Sequence, residues 1–232
     1  MTNVLLPRIR CIKRAAAGLN RGMDILRGKL NIRFILLIFL FTFLITGCAT
    51  MKTPKSGFLG DYSLFQVDPK DKSLLWYEKE GTDWKRFTKL MIDPVVVYYH
   101  PAARNRQIEP QELQKLTEYF REVVVQEVED KYPVVDKAGP DVLRVRAAIT
   151  DVIPVNVAAN IVAAAAIGIP LDMGGAAIEA EFLDSETGER LGAIVDMKLG
   201  TPLDMRGFTS LGHARSAFQK WAKEFKQALS EP

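Results

Sequence analysis

An apolar run that ends at a cysteine constrains this chain most, because it decides which residues enter the fold. The run spans residues 34–45, and Thr46 and Gly47 separate it from Cys48. The 47 residues before Cys48 hold eight basic residues and one acidic residue, Asp24. A basic segment, a short apolar segment and small residues before a cut are the layout of a secretory signal peptide. A membrane-spanning helix is the alternative, but it needs about 20 apolar residues. We therefore expect residues 1–47 to be a signal peptide.

The part of this signal peptide before the apolar run is long. Translation from Met23 gives a segment of more ordinary length, so both starts stay open.

Removal of the signal peptide also changes the charge of the protein. The whole chain is +3, whereas residues 48–232 keep 23 basic and 27 acidic residues and are net −4. An acidic domain without clusters of basic and aromatic residues argues against nucleic-acid binding.

The sequence around Cys48, "LITGC", resembles the bacterial lipobox. This resemblance implies cleavage before Cys48, a diacylglycerol thioether on its sulfur and a further acyl chain, such as palmitate, on its amine. Cys11 lies in the removed part, so Cys48 keeps no disulfide partner. Ala49, where inner-membrane lipoproteins of Gram-negative bacteria carry aspartate, implies the outer membrane, with the domain facing the periplasm. Residues 48–57 are small and polar and are predicted to be a flexible tether.

Residues 58–232 are long enough for one domain with a full core. Residues 89–100 are rich in β-branched and aromatic residues and predict a strand. Pro110 favours a helix start, and apolar residues at helical spacing follow it up to Val128. A second such stripe runs from Leu211 to Leu229, after the capping residues Thr209 and Ser210.

Alternation of apolar and polar residues predicts the remaining strands. "DVLRVRAAITDV" from Asp141 is expected to be a half-buried strand. Residues 174–200 predict a hairpin whose turn uses Asp184 as a backbone acceptor and Gly188 at positive φ. The order strand, helix, strand, hairpin, helix predicts an α+β fold, a mostly antiparallel sheet with two amphipathic helices packed on one face.

Signals for chemistry are sparse. The chain has two histidines, His100 and His213, and no metal-binding, nucleophile-elbow or phosphate-loop spacing. We predict no catalytic residue, no metal and no cofactor. Glu179 and Glu181 are two residues apart on one strand face and form a conceivable acid–base pair. A solvated sheet face, paired across strands with Arg144 and Arg146, is the favoured interpretation.

The segment 157–169 is uncharged and rich in small residues, and it lies between two predicted strands. It is too short to span a bilayer. Two interpretations are open: a buried helix or crossover packed on the sheet, or an exposed apolar surface that contacts a partner, another copy or the membrane. For the second interpretation, the candidate contact residues are Asn156, Asn160, Ile161, Val162, Ala164 and Ile167.

Three stretches, "SGFLGDYSLF", "ITDVIPVN" and "GGAAIEAEFLDSETGERLGAIVD", resemble an uncharacterised family of bacterial lipoproteins, domain of unknown function three-three-one-three. The resemblance implies a lipoprotein in a periplasmic setting and brings no reaction. We expect a non-enzymatic, lipid-anchored interaction or assembly module of the outer membrane, which contacts an envelope protein or another copy. The alternatives are a binding accessory for a lipid or small apolar ligand, and a carboxylate-based hydrolase.

Overall fold

A computed structural model describes residues 53–103, 108–201 and 204–230. The predicted signal peptide, Cys48 and the first residues of the tether lie outside the described residues. In the part that the structure describes, no helix is long and apolar enough to cross a membrane.

The centre of the fold is a seven-stranded sheet with the order β1-β2-β7-β6-β5-β3, in which β4 also pairs with β5. The strands are β1 Gln66–Val67, β2 Leu75–Glu78, β3 Lys89–Ile92, β4 Val96–Val97, β5 Val142–Ile153, β6 Gly175–Asp184 and β7 Arg190–Leu199. β3 and β4 run parallel to β5, and the other pairs are antiparallel. The predicted α+β class with a mostly antiparallel sheet is confirmed.

Two helices, α1 Pro110–Val128 and α3 Gly212–Ser230, cover one face of this sheet. Their apolar stripes meet the strands in a core where the Phe120 and Phe218 rings stack with centroids 4.6 Å apart. Ile149 and Ile178, neighbours on β5 and β6, form the strand side of this core. The predicted packing of two amphipathic helices on one face is therefore confirmed. A third helix, α2 Val157–Ile167, connects β5 to β6.

The hairpin of β6 and β7 turns where the sequence predicts it. Asp184 Oδ1 accepts from the backbone N–H groups of Glu186 and Thr187, each at 2.9 Å, and Gly188 has φ of 72°. These hydrogen bonds, led by that from Thr187, lower the pKa of Asp184 because they stabilise its charged form. The predicted roles of Asp184 and Gly188 in the turn are therefore confirmed.

The predicted strand over residues 89–100 is divided. Asp93 and Pro94 separate β3 from β4, because proline has no N–H to donate to a ladder. Asp93 instead pairs with Arg144, whose Nη2 lies 2.7 Å from Asp93 Oδ2. β5 is also more buried than the predicted half-buried strand, because the sheet has a covering on its second face.

The second face of the sheet is covered by the segment that precedes β1. Thr53 is buried, and its hydroxyl donates to the carbonyl of Ser73. Leu59 packs with Ala193 and Val195 of β7. The segment 53–57, predicted to belong to a free tether, is thus bound along the sheet, so the packed domain begins before residue 58.

Candidate functional site

The most exposed apolar feature of the described chain is the short helix α2 and the loop after it. Asn156 caps the N-terminus, since its Oδ1 accepts from the N–H of Ala159 at 3.0 Å. Gly168 ends the helix with φ of 84°, and its N–H donates to the carbonyl of Ala164 at 2.9 Å. Both ends of α2 are therefore fixed by residues whose chemistry suits their positions.

The side-chain amide of Asn160 attaches α2 to the domain through four hydrogen bonds, which we call the latch. Its Nδ2 donates to the carbonyls of Asp172 at 2.9 Å and Gly207 at 2.8 Å. Its Oδ1 accepts from the N–H groups of Leu171 at 3.0 Å and Asp172 at 2.7 Å. All the hydrogen-bonding capacity of one amide is used on backbone groups of two separate segments. The latch ties the helix to the following loop and to the short 3-10 helix Met205–Phe208.

The other residues of α2 are exposed or half-buried. Asn160 is its only buried residue, whereas Val162 is 69% exposed. The described residues contain nine exposed large hydrophobic side chains, and five of them fall between residues 161 and 173. We call this group the α2 surface: Ile161, Val162, Ile167, Leu171 and Met173. The remaining four are spread over other parts of the domain, so the α2 surface is the one place in the described chain where they concentrate.

The structure separates the predicted contact residues into two groups. Ile161, Val162 and Ile167 are exposed and belong to the α2 surface, and Ala164 is half-buried beside them. Asn156 is exposed but serves as the helix cap. Asn160 was predicted as a contact residue, and this is wrong, because its side chain is fully buried in the latch. The interpretation of the segment as a buried helix is also wrong, since only this one residue is buried.

Leu171 and Met173 complete the α2 surface and were not among the predicted residues. They follow Pro170 in a loop rather than the helix, so helical spacing could not find them. The sequence signal that includes them is the absence of charge, because no Asp, Glu, Lys or Arg occurs from Val152 to Leu171.

A second concave feature is an aromatic cavity of about 370 Å³ between the C-terminal part of α3 and the end of the sheet where the β6–β7 hairpin turns. Its lining includes Trp76, Trp84, Phe87, Phe182 and Phe225, with Ala228 and Leu229 of α3. Glu78 lies at this cavity and accepts from the indole N–H of Trp84 at 2.6 Å. This volume and lining are typical of sites for small apolar ligands.

The two strand carboxylates are structural. Glu179, predicted to lie on a solvated face, is fully buried. Its Oε1 accepts from the N–H of Ser56 at 2.5 Å, and its Oε2 accepts from the Tyr62 hydroxyl at 2.6 Å. Burial and the bond to Glu179 raise the pKa of Tyr62 to about 12. The solvated face is thus wrong, because the N-terminal segment covers it.

Glu181 is also buried and is held between two arginines. Arg146 Nη1 lies 2.6 Å from its Oε1, and Arg190 Nη2 lies 2.7 Å from its Oε2. The predicted cross-strand pairing is confirmed for Arg146, whereas Arg144 pairs with Asp93 instead. Each carboxylate is therefore occupied by fixed partners.

Both histidines are buried in the fold. His213 Nδ1 accepts from the N–H of Gly174 at 2.9 Å. His100 Nε2 lies 3.4 Å from Asp151 Oδ2, and its Nδ1 accepts from the N–H of Ala102 at 3.1 Å. Over the described ranges, no cluster of three His, Cys, Asp or Glu residues has the arrangement of a metal site.

The fold and its surfaces define an α+β domain with one exposed apolar helix. The chain belongs to the family described as protein of unknown function (DUF3313), whose model matches residues 54–225. The family predicted from the three sequence stretches is therefore confirmed. A comparison with curated proteins finds no match.

Several solved structures are similar to this chain at low scores. PelC from Paraburkholderia phytofirmans, a dodecamer, has a TM-score of 0.39 and 8% identity, over 65% of this chain and 96% of that chain. A Xanthomonas campestris protein of family DUF330 has a TM-score of 0.34 and 11% identity, over 61% and 84%. A neuraminyllactose-binding hemagglutinin homolog from Helicobacter pylori has a TM-score of 0.33 and 10% identity, over 66% and 86%. Scores this low support no statement about function.

Proposed function

We propose that this protein is a lipid-anchored, periplasm-facing module of the outer membrane that acts by contact rather than by catalysis. Cys48 carries the anchor, and the α2 surface makes the contact with an envelope component. The observation that carries this proposal is the concentration of exposed apolar side chains on α2 and its loop. Contiguous exposed apolar patches on soluble domains mark sites of interaction with proteins, membranes or ligands.

The way in which α2 is held supports a contact role. A helix that is apolar on all sides is expected to be buried, yet here one buried amide and two caps hold it on the outside of the domain. The latch orders the helix before any partner arrives, so less conformational entropy is lost on binding. The small residues around Ala164 permit close approach of another surface.

The non-enzymatic part of the proposal is supported by the state of the acidic residues. A general acid or base must reach a proton on a substrate. Glu179 and Glu181 are buried and bonded to fixed groups of the protein, as described above. The structure therefore offers no support for the carboxylate-based hydrolase.

The test is protection of α2 from chemical modification in the cell envelope. A full chain with Cys11→Ser carries Val162→Cys in one variant and Leu64→Cys in the other, and a lipidated Cys48 does not react with maleimide. Leu64 is a matched control, because it is 65% exposed and lies outside the α2 surface. After the outer membrane is made permeable, a hydrophilic maleimide should modify position 64 and spare position 162. Equal modification at both positions would overturn the contact role.

The anchor has its own readout, which is the intact mass of the purified mature protein. Lipid on an N-terminal Cys48 is the expected result. An unmodified Cys48, or cleavage elsewhere, would overturn the anchor whatever the maleimide experiment shows.

The aromatic cavity favours a second candidate function, binding of a lipid or small apolar ligand for envelope transport. Ala228→Phe would place a ring against the cavity, whereas Gln227→Phe adds the same ring at the preceding position of α3, which does not line the cavity. If the cavity is a binding site, a fluorescent fatty acid should bind the wild type and Gln227→Phe but not Ala228→Phe. Equal binding by all three proteins would exclude the cavity as that site.

A further inference from the structure

We infer that the α2 surface rests in the interfacial layer of the bilayer that carries the Cys48 acyl chains. This inference rests on the proposed function and names the occupant of the α2 surface as lipid. It depends on where α2 lies, where the described chain begins, and how short the connection between Thr53 and the anchor is.

The strand register places α2 at one end of the sheet. Ile153, the last residue of β5, pairs with Gly175, the first residue of β6. Gly175 in turn pairs with Leu199, the last residue of β7. Since α2 connects β5 to β6, it projects from the end of the sheet that these three residues define. The 3-10 helix Met205–Phe208, to which the latch binds, follows β7 at the same end.

The described chain begins close to this end. The Thr53 hydroxyl donates to the carbonyl of Ser73, and the Ser73 hydroxyl donates to Asp196 at 3.2 Å. Asp196 precedes Leu199 by three residues, and at about 3.3 Å per residue this is roughly 10 Å from the end of β7.

From Thr53 the chain continues along the second face of the sheet. The N–H groups of Ser56 and Leu59 both donate to the Glu179 carboxylate, and the carbonyl of Leu59 accepts from the Arg190 side chain at 2.8 Å. Thr53, the first described residue, therefore lies nearer the end of the sheet where α2 projects than the opposite end, where the hairpin turns.

The connection to the anchor is short. Five peptide units separate Cys48 from Thr53, and at about 3.6 Å each they reach at most about 18 Å. An acylated Cys48 consequently holds the α2 end of the domain near the headgroups. Because the tether is this short, the α2 surface has a high effective concentration at the bilayer once the acyl chains are inserted. Weak partitioning of α2 is then enough to keep it in the interfacial layer.

The chemistry of α2 fits the surface of a bilayer. With 11 residues the helix is about 16 Å long, about half the hydrocarbon thickness that a spanning segment must cross. An interfacial helix buries its apolar side roughly 5–10 Å deep, which is the depth of one layer of side chains such as Ile161 and Val162. The stretch from Val152 to Leu171 is uncharged, and the carboxylate of Asp172, which follows it, accepts from the N–H of Asn156 at the start of α2 at 2.5 Å.

A protein partner or a second copy would also cover an apolar helix. The position of α2 favours lipid, because Thr53 lies toward the end of the sheet where α2 projects and Cys48 is only five residues before it. Proximity to the anchor does not in itself favour contact between a partner protein and the α2 surface.

Fluorescence quenching in vesicles tests the inference. The purified lipidated protein carries Cys11→Ser with Val162→Cys or Leu64→Cys, labelled with NBD and inserted in phosphatidylethanolamine–phosphatidylglycerol vesicles. We expect lipids with nitroxide on the acyl chain to quench the label at position 162, and aqueous iodide to leave it largely unquenched. The label at position 64 should show the reverse.

Two outcomes overturn the inference. One is iodide quenching at position 162 as strong as at position 64. The other is protection at position 162 that disappears when the protein is diluted at constant lipid, which identifies a second copy as the occupant. If position 162 is protected in cells but open in pure lipid vesicles, the inference fails while the proposed contact role stands. Absence of lipid on Cys48 in the intact mass would instead show that the proposed anchor fails.

Discussion

Replacement of the latch amide, Asn160→Leu, tests how α2 is held. Leucine keeps the branched shape of the asparagine side chain, although it is larger, and makes none of the four hydrogen bonds to Leu171, Asp172 and Gly207. Each such bond contributes about 1 kcal/mol net, and a buried group left without a partner costs about 1–3 kcal/mol. Water reaches the exposed residues Leu171 and Asp172 more easily than buried Gly207. We therefore expect a loss of about 2–4 kcal/mol in the free energy of unfolding.

The assay is thermal unfolding combined with amide hydrogen exchange. For a domain of this size 1 kcal/mol corresponds to roughly 2–4 °C, so the Tm should fall by about 4–16 °C. The control is Asn156→Ala, which removes the exposed helix cap and costs about 1 kcal/mol. If α2 unlatches without global unfolding, the amides of Leu171 and Asp172 lose protection instead. The reasoning is refuted if both the Tm and these amides change no more than in the control.

Three further substitutions test other parts of the fold. Folding raises the pKa of Tyr62 to about 12. The Tyr62 hydroxyl therefore stays protonated to a higher pH in the folded protein than in the unfolded chain. The free energy of unfolding should thus fall as pH rises from about 10 to about 12, and urea titrations of Tyr62→Phe should show a shallower fall. Arg190→Met leaves buried Glu181 with one arginine and should lower the free energy of unfolding by about 2 kcal/mol. The matched control Lys79→Met breaks an exposed pair with Glu189 and should lower it by about 0–1 kcal/mol in the same urea titrations. Gly200→Ala places a Cβ 2.4 Å from the His213 ring and should lower the Tm, whereas Gly139→Ala, whose nearest contact is 3.4 Å, should leave it nearly unchanged.

Local patterns were sufficient to predict most of the fold. The start of α1 at Pro110, the turn at Asp184 and Gly188, and the stripe of α3 each depend on residues close together in the chain. The alternation of residues could not show that the strand face of Glu179 is covered. That covering comes from the segment around Leu59, more than a hundred residues earlier, and its backbone satisfies the carboxylate.

The site was partly predictable for a similar reason. An uncharged apolar stretch identified Ile161, Val162 and Ile167, because either open interpretation required apolar side chains there. Burial of Asn160 depends on the backbone of Gly207, which a local pattern does not include. The choice between a buried and an exposed helix depends on how the sheet is covered, and α1 and α3 already occupy its helix-bearing face.

The measurement that tests the central claim most directly is maleimide modification of Val162→Cys and Leu64→Cys in cells whose outer membrane has been made permeable. The two positions are similarly exposed in the isolated domain, so a difference between them reports what covers α2 in the envelope. We predict rapid modification at position 64 and protection at position 162. Equally rapid modification at both would mean that nothing covers α2 in the cell and would contradict the contact role.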